Sequence, residues 1–284
     1  MKERRMTLED DFKLESIGHL RMAFKKAFFN PLINYFTHPR IIRFTLKYCG
    51  SPIIKASLRD PGGWKSMIAA YARRKPGGPV DYLVQKLASL PMGLRNRKRM
   101  AVRCLSHLLN NSKGPVNLVS VGAGPGINEL EAMARSTNQS VHCYFLDLAS
   151  EAFEYGRLVA RGLGLLDRVS FIQGNVVQIR DLIGIRPDIV TTIGILEYLT
   201  DEQISDILEA MYEIMPEGGC VLSSSITPRH GTDRFLRKIL KLRLNYRNTE
   251  SVMHLLGCVG YNHFEVEYEP LGIYSIVTGH KHSG

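Results

Sequence analysis

No run of about 18 uncharged apolar residues occurs in the 284-residue chain, so the sequence predicts no membrane-spanning helix. The stretch MKERRMTLEDDF has no apolar core of the kind a secretory signal carries, and none is expected there. Cysteine is sparse. Cys49, Cys104, Cys143, Cys220 and Cys258 are odd in number and far apart, which excludes a CxxC zinc site and fits reduced thiols in the cytoplasm, the expected compartment. No bound metal is expected. No internal repeat or low-complexity segment is present. Acidic residues are short in one region only. Residues 1–115 hold 23 Lys and Arg against 7 Asp and Glu, a net of +16; the remaining 14 against 20 give residues 116–284 a net of −6.

What is present is an ordinary globular composition, 44% hydrophobic and 23% charged, in a chain long enough for a sizeable core. The first 115 residues read as helices. HLRMAFKKAFFNPLINYF places apolar residues at helical spacing with lysines between them, interrupted by Pro31 and Pro39. LRNRKRMAVRCLSHLLNN carries an apolar stripe through Met100, Val102, Leu105, Leu108 and Leu109. The texture changes after Lys113-Gly114-Pro115. VNLVSVG reads as a buried parallel strand, and strands and helices then alternate to CVLSSSIT. Ser150 is an expected helix N-cap, and Thr200 with Gln203 forms an expected capping box. The end reads as a hairpin turning at Leu271-Gly272. The expected organisation is a basic helical region over 1–115 and an α/β domain over 116–284 with a doubly wound, mostly parallel sheet.

The motif with the most chemistry is Val119-Ser120-Val121-Gly122-Ala123-Gly124-Pro125-Gly126, between a predicted strand and a predicted helix. Glycine there lets the backbone turn tightly and approach a ligand. Asp147 ends the next predicted strand, where a carboxylate can accept hydrogen bonds from a ribose diol. A glycine turn alone is common in α/β proteins, and Asp147 alone could be a helix cap; loop, strands and acid together favour a nucleoside. The G-x-G-x-G spacing departs from the dinucleotide fingerprint, and no Gly-Lys-Ser/Thr follows it, so NAD and nucleoside triphosphates are disfavoured.

The whole array resembles the class I S-adenosylmethionine-dependent methyltransferases. VSVGAGPG is similar to their cofactor loop, FLDL to their acidic strand end, FIQGNV to the segment near the adenine, DIVTTIGILEYL to their fourth strand, and MPEGGCVL to the turn into the fifth. LLGCVGYNHFEVE resembles their last helix and sixth strand. The resemblance implies a seven-stranded Rossmann-like sheet of order 3-2-1-4-5-7-6 with strand 7 antiparallel. It implies S-adenosyl-L-methionine as cofactor, held by Gly122, Ala123, Gly124, Gly126, Asp147, Leu148, Asn175, Val176 and Ile193. More narrowly, LRNRKRMAVRCLSHLL, IGILEYLTDEQI and the Tyr246-Arg247 pair resemble bacterial proteins of 3-hydroxy fatty-acid methyl ester biosynthesis. Ser224, Ser225 and Thr227 stand where that group has His or Asn.

Methyl transfer needs donor and acceptor held in attack geometry with water excluded. A carboxylate acceptor needs no base, whereas a hydroxyl or amine must lose a proton. Candidates at the carboxyl ends of strands are Tyr198 and His230 as catalytic groups, with Glu197, Arg229, Tyr246 and Arg247 for substrate. Arg247 is the favoured grip on an acidic substrate, because a guanidinium pairs bidentately with a carboxylate. The plainer alternatives are a loop histidine, a capping glutamate, a packed tyrosine and a surface arginine.

The leading expectation is a small-molecule methyltransferase, its substrate acidic or acyl-chain-bearing. The basic amphipathic helices would cover the pocket and contact a membrane surface or an acyl carrier. A second reading is an RNA methyltransferase with the +16 region as its footprint. A third is a non-enzymatic binding protein on the same scaffold. No Asn-Pro-Pro-Tyr, Asp-Pro-Pro-Tyr or Pro-Cys motif follows the fourth strand, which disfavours base methylation of nucleic acid.

Overall fold

The computed structural model describes residues 12–72 and 75–282. Residues 1–11, where no signal is expected, lie outside the described residues. The chain divides into two compact units, and neither is one continuous stretch. One comprises Met1–Arg99, Thr227–Leu244 and Glu269–Tyr274; the other comprises Met100–Ile226, Asn245–Tyr268 and Ser275–Gly284. In place of a single cut at 115, the division falls inside one long helix, and the chain later returns twice to the first unit.

The second unit carries the sheet. Its strands are β1 (Val116–Val121), β2 (Val141–Asp147), β3 (Val169–Gln173), β4 (Ile189–Thr192), β5 (Cys220–Ile226), β6 (Asn262–Tyr268) and β7 (Tyr274–His280), in the order β3-β2-β1-β4-β5-β7-β6. β3, β2, β1, β4 and β5 run parallel, and β6 and β7 pair antiparallel. The alternating pattern predicts the mostly parallel sheet, and the strand order is the one that the family resemblance implies. β4 and β5 are buried at every position, and their Thr192 and Ser223 hydroxyls satisfy each other at 2.7 Å inside the sheet. Val119, Val121, Val190, Val221 and Val277 meet Ile204, Ile207 and Met211 of helix α10 (Asp201–Ile214), and Val252 and Leu256 of α12 (Thr249–Val259), in one core. Each such side chain contributes about 1.5–3 kcal/mol when fully buried. α10 starts at the expected capping box: Thr200 Oγ1 accepts from Gln203 N, and Gln203 Oε1 accepts from Thr200 N. The remaining helices are α7 (Ile127–Arg135), α8 (Ser150–Gly162) and the short α9 (Ile179–Leu182). Ser150 does not cap α8. Ala149 holds the N-cap position without a side-chain bond, and Asp147 Oδ1 accepts from Ala149 N at 2.8 Å, closing the turn from β2.

The first unit is helical, as the sequence predicts: α1 (His19–Phe24), α2 (Pro39–Tyr48), α3 (Pro52–Arg59), α4 (Trp64–Tyr71), α5 (Pro79–Lys86), the start of α6 (Ser89–Asn111), and α11 (Thr232–Phe235). Lys25–Phe29, Leu32–Phe36 and Leu236–Leu240 form wider π-type turns, two of them around Pro31. α2 opens with Pro39 in its first turn, and His38 Nδ1 accepts from Arg40 N. Its inner residues Ile42 and Leu46 pack with Leu236, Ile239 and Leu240.

Three of the four arginines of α6 are buried: Arg95, Arg97 and Arg99 are each under 9% exposed. Arg95 grips Glu15 with two bonds of 2.8 and 2.6 Å, and Arg99 adds one of 2.6 Å. Burial alone would raise the Glu15 pKa; the two guanidiniums override it and hold the carboxyl below its usual range. Asn96 completes the knot, accepting from Glu15 N and donating to Glu15 O and Glu269 Oε2. Glu269 in turn accepts from the backbone N–H groups of Leu271 and Ile273. Among the described residues, no helix is long and apolar enough to cross a membrane, and all five cysteines are unpaired.

Candidate functional site

The carboxyl ends of β1 to β4 converge on one edge of the sheet in the second unit. Gly122 leaves β1 with φ +67°, followed by Gly124 at +54° and Gly126 at +70°, a region that L side chains rarely adopt. A Cβ on Gly122 would lie 2.7 Å from the side chain of Ile195, and one on Gly126 would lie 2.3 Å from the Phe145 ring. The loop is therefore fixed by packing from below as well as by its dihedral angles.

It is also laced to β2. Gly122 N and Ala123 N both donate to Leu146 O, and Gly124 N donates to Asp147 Oδ2 at 2.7 Å. Asp147 O accepts from Gly174 N, which brings the end of β3 beside it. The half-buried Asp147 carboxylate thus accepts one backbone N–H at each oxygen, from Gly124 and Ala149, and each oxygen has a further lone pair to offer. The sequence points to a ligand-binding acid here; the structure adds that it positions the loop.

Asn175 is exposed after β3 and caps the next turn, its Oδ1 accepting from Val177 N. Val176 beside it is buried, whereas Leu148 is 64% exposed next to Asp147. Ile193 is half-buried at the end of β4, and Gly194 N donates to Ser224 Oγ. Gly126 offers α7 no side-chain cap, leaving first-turn N–H groups for a ligand. Asn128 Oδ1 is buried there with no hydrogen-bond partner among the described residues. Glu129, one residue on, is 3% exposed, and Thr191 Oγ1 donates to it at 2.7 Å. Burial raises its pKa, and the Thr191 and Ser120 hydroxyls offset this only in part. The pattern N-E-L-E opening an amphipathic helix gives no sign that its first glutamate points inward.

The substrate candidates of this unit meet at the turn after β4. Glu197 is 6% exposed, and its carbonyl accepts from Asn245 N. Tyr198 is 42% exposed and Tyr246 half-buried. Arg247 is not a free clamp. It donates to Leu196 O at 2.6 Å, Leu199 O at 2.9 Å and Asp201 Oδ1 at 2.8 Å, with its side chain 11% exposed. A guanidinium spent on two carbonyls and one carboxylate holds the turn between β4 and α10 in place. Its grip on a substrate acid would break those bonds.

Arg229 and His230 belong to the first unit. Arg229 is exposed, with its guanidinium against Gly272. His230 has φ +60°, unusual for a side chain that is not glycine. Its Nε2 bonds to Leu271 O at 2.8 Å, and its buried Nδ1 has no hydrogen-bond partner among the described residues. Burial, together with Lys25 and Lys26, holds the imidazole below its ordinary pKa.

Residues 88–280 match the family described as "Putative methyltransferase". The chain belongs to this methyltransferase family. The match takes in the glycine loop, Asp147 and every strand. No curated protein matches the sequence. Solved structures share the methyltransferase's fold. One from Bordetella parapertussis, described as a possible exported protein, has a TM-score of 0.69 at 13% identity, covering 98% of each chain. Magnesium protoporphyrin IX methyltransferase from Synechocystis, with S-adenosylhomocysteine bound, has a TM-score of 0.55 at 14% identity, covering 86% of this chain and 99% of its own. Human N-acetylserotonin methyltransferase, in complex with S-adenosylmethionine, has a TM-score of 0.53 at 15% identity, covering 82% and 70%.

Proposed function

We propose that this methyltransferase uses S-adenosyl-L-methionine to methylate a carboxylate or hydroxyl oxygen of a small acidic or acyl-chain-bearing molecule. The observation that carries the cofactor reading is the knot of Gly122, Ala123 and Gly124 with Leu146 and Asp147. It leaves a glycine backbone open to close approach beside a carboxylate with lone pairs to spare. The donor set fits S-adenosylmethionine: α7 first-turn N–H groups and Asn128 for its amino-acid end, Asp147 for ribose hydroxyls, Leu148, Asn175 and Val176 for the base, and Ile193 for an apolar wall. When bound, that cofactor supplies an electrophilic methyl group on a sulfonium. The small-molecule reading is supported by the names of two fold neighbours, which are methyltransferases of magnesium protoporphyrin IX and N-acetylserotonin.

The residues of this chain would do three things. Arg229, exposed and with a guanidinium that has no hydrogen-bond partner among the described residues, is the arginine of the expected set best suited to an acid. Glu197, Tyr198 and Tyr246 are proposed to shape the substrate side. His230 is proposed to take a proton from a hydroxyl acceptor, since burial holds its imidazole below its ordinary pKa.

A screen of fatty acids, hydroxy acids, phenols and transfer RNA with methyl-labelled cofactor tests this reading. Acidic small molecules should be labelled, and Arg229→Ala should raise KM for an acid while sparing a neutral analogue. With a hydroxyl acceptor, His230→Gln should lower kcat and flatten its pH profile. Labelling of RNA alone would overturn the proposal.

A further inference from the structure

Helix α2 is apolar on two opposite faces, and only one of them is accounted for. Ile42 and Leu46 turn into the core of the first unit. Ile41, Phe44 and Tyr48 lie about 160–260° round the helix from that face and are 59–67% exposed. α1 and the turns after it repeat the pattern. Leu20, Phe24 and Phe28 follow one another at four-residue spacing with 63–88% exposure, and Phe36 is 81% exposed. The exposed rings pair with each other, Phe24 stacked on Phe28 at 5.3 Å and Phe44 tilted against Tyr48 at 5.0 Å between centroids. Exposed apolar side chains scattered singly need no explanation, but a run of this size marks an interaction surface.

The charge around these residues has one sign. Between His19 and Arg59 the sequence has eight Lys and Arg (21, 25, 26, 40, 43, 47, 55, 59) and no Asp or Glu. A cleft of about 480 Å³ is lined by Arg43, Phe44, Lys47, Lys55, Leu58 and Arg59. Four cations and two apolar side chains are the lining that a phosphate joined to an acyl chain would meet. On α2 the cations Arg40, Arg43 and Lys47 form a stripe beside the exposed apolar face, the arrangement of helices that lie in a membrane interface with basic stems reaching up to the headgroups.

We propose that this surface docks the protein on an anionic phospholipid bilayer, with Phe28, Phe36, Phe44 and their neighbours dipping among the acyl chains and the Arg43–Lys47–Lys55–Arg59 cleft taking a lipid phosphate. The inference stands apart from the methyltransferase reading. A second copy of the chain is a poor occupant, because a shared apolar interface would bring two segments of eight cations and no acid together. Residues 1–11 are poor occupants too, with Met1, Met6 and Leu8 as their only apolar side chains.

Co-sedimentation of the full chain with vesicles tests the proposal. Binding should be strong to phosphatidylcholine vesicles containing phosphatidylglycerol, weak to phosphatidylcholine alone, and reduced as the Debye length falls from about 10 Å at 0.1 M salt to about 3 Å at 1 M. Phe28→Ser with Phe44→Ser should weaken binding at least about tenfold. Lys47→Glu with Lys55→Glu should weaken it at least about twentyfold on anionic vesicles, at about fivefold per cation. All four side chains are on the surface, so circular dichroism and urea unfolding should stay as in the parent. No sedimentation with anionic vesicles, or sedimentation unchanged in both variants, would overturn the proposal. So would a dimer, or a complex with an acidic acyl carrier protein, that Phe28→Ser and Phe44→Ser abolish while vesicles go unbound.

Discussion

The glycine loop and helices α1 to α3 arrange their side chains in opposite ways. Around the loop, apolar residues turn inward. Val121, Leu146 and Phe145 are at most 1% exposed, and the polar work is done by a few backbone N–H groups and one carboxylate. Across α1 to α3, aromatic rings face outward among cations, and charged groups go inside: Lys25 is 8% exposed. The loop region is organised to hold a compact ligand by shape. The helical region is organised as a surface, with Lys25 buried beneath it, whereas the sheet unit buries carboxyl groups, Glu129 and Glu197.

Three changes would break or sharpen this contrast. Gly126→Val should have the largest effect, since φ +70° and the Phe145 ring both oppose a side chain. Strain and overpacking together predict a loss of about 2–6 kcal/mol in urea unfolding, along with cofactor binding. Stability equal to the parent would mean that the loop is not held by its packing.

The second change concerns Lys25, whose ammonium donates to Leu87 O and Ser89 Oγ in the first unit. Burial pushes it down to about 8. The folded chain therefore binds fewer protons than the unfolded chain between about pH 8 and the ordinary lysine value near 10.4, and stability must rise with pH across that window. The gain, measured against Lys25→Met, should approach roughly 3 kcal/mol, fully developed above the unfolded value and absent below pH 8. Parallel stability curves for parent and variant would show that the lysine is not penalised by burial.

Arg247→Ala should have a smaller effect, on stability first. Three anchoring contacts at about 1 kcal/mol each predict a loss of about 2–3 kcal/mol. Asp201→Ala should cost less than about 1 kcal/mol, because Asp201 is 66% exposed. If Arg247→Ala instead left stability intact and raised KM for an acidic substrate only, the guanidinium would be a substrate clamp after all.

The fold and the loop were legible because their signals are local. Short apolar runs marked the strands and three-and-four spacing the helices, Thr200 and Gln203 marked the start of α10, and the glycines fell where φ is positive. What the sequence concealed depends on partners distant along the chain. Arg247 reads as a surface arginine until Leu196, Leu199 and Asp201 are seen around it. Arg95 and Arg99 read as solvated until Glu15 is found some 80 residues away in sequence. The exposed rings of α2 share the spacing of core residues, so periodicity alone could not tell the outer face from the inner one. The return of residues 227–244 and 269–274 to the first unit has no local signature at all.

We propose that the end of β2 and the glycine loop together form an S-adenosylmethionine site. Calorimetry of the parent and Asp147→Ala with S-adenosylhomocysteine and with NAD measures it directly. The parent should bind S-adenosylhomocysteine and not NAD. Asp147→Ala, while folded, should lose about 1–3 kcal/mol of that affinity, the cost of leaving the ribose hydroxyls and the Gly124 N–H without an acceptor. Tight binding of NAD with no response to S-adenosylhomocysteine, or equal affinity in parent and variant, would contradict it.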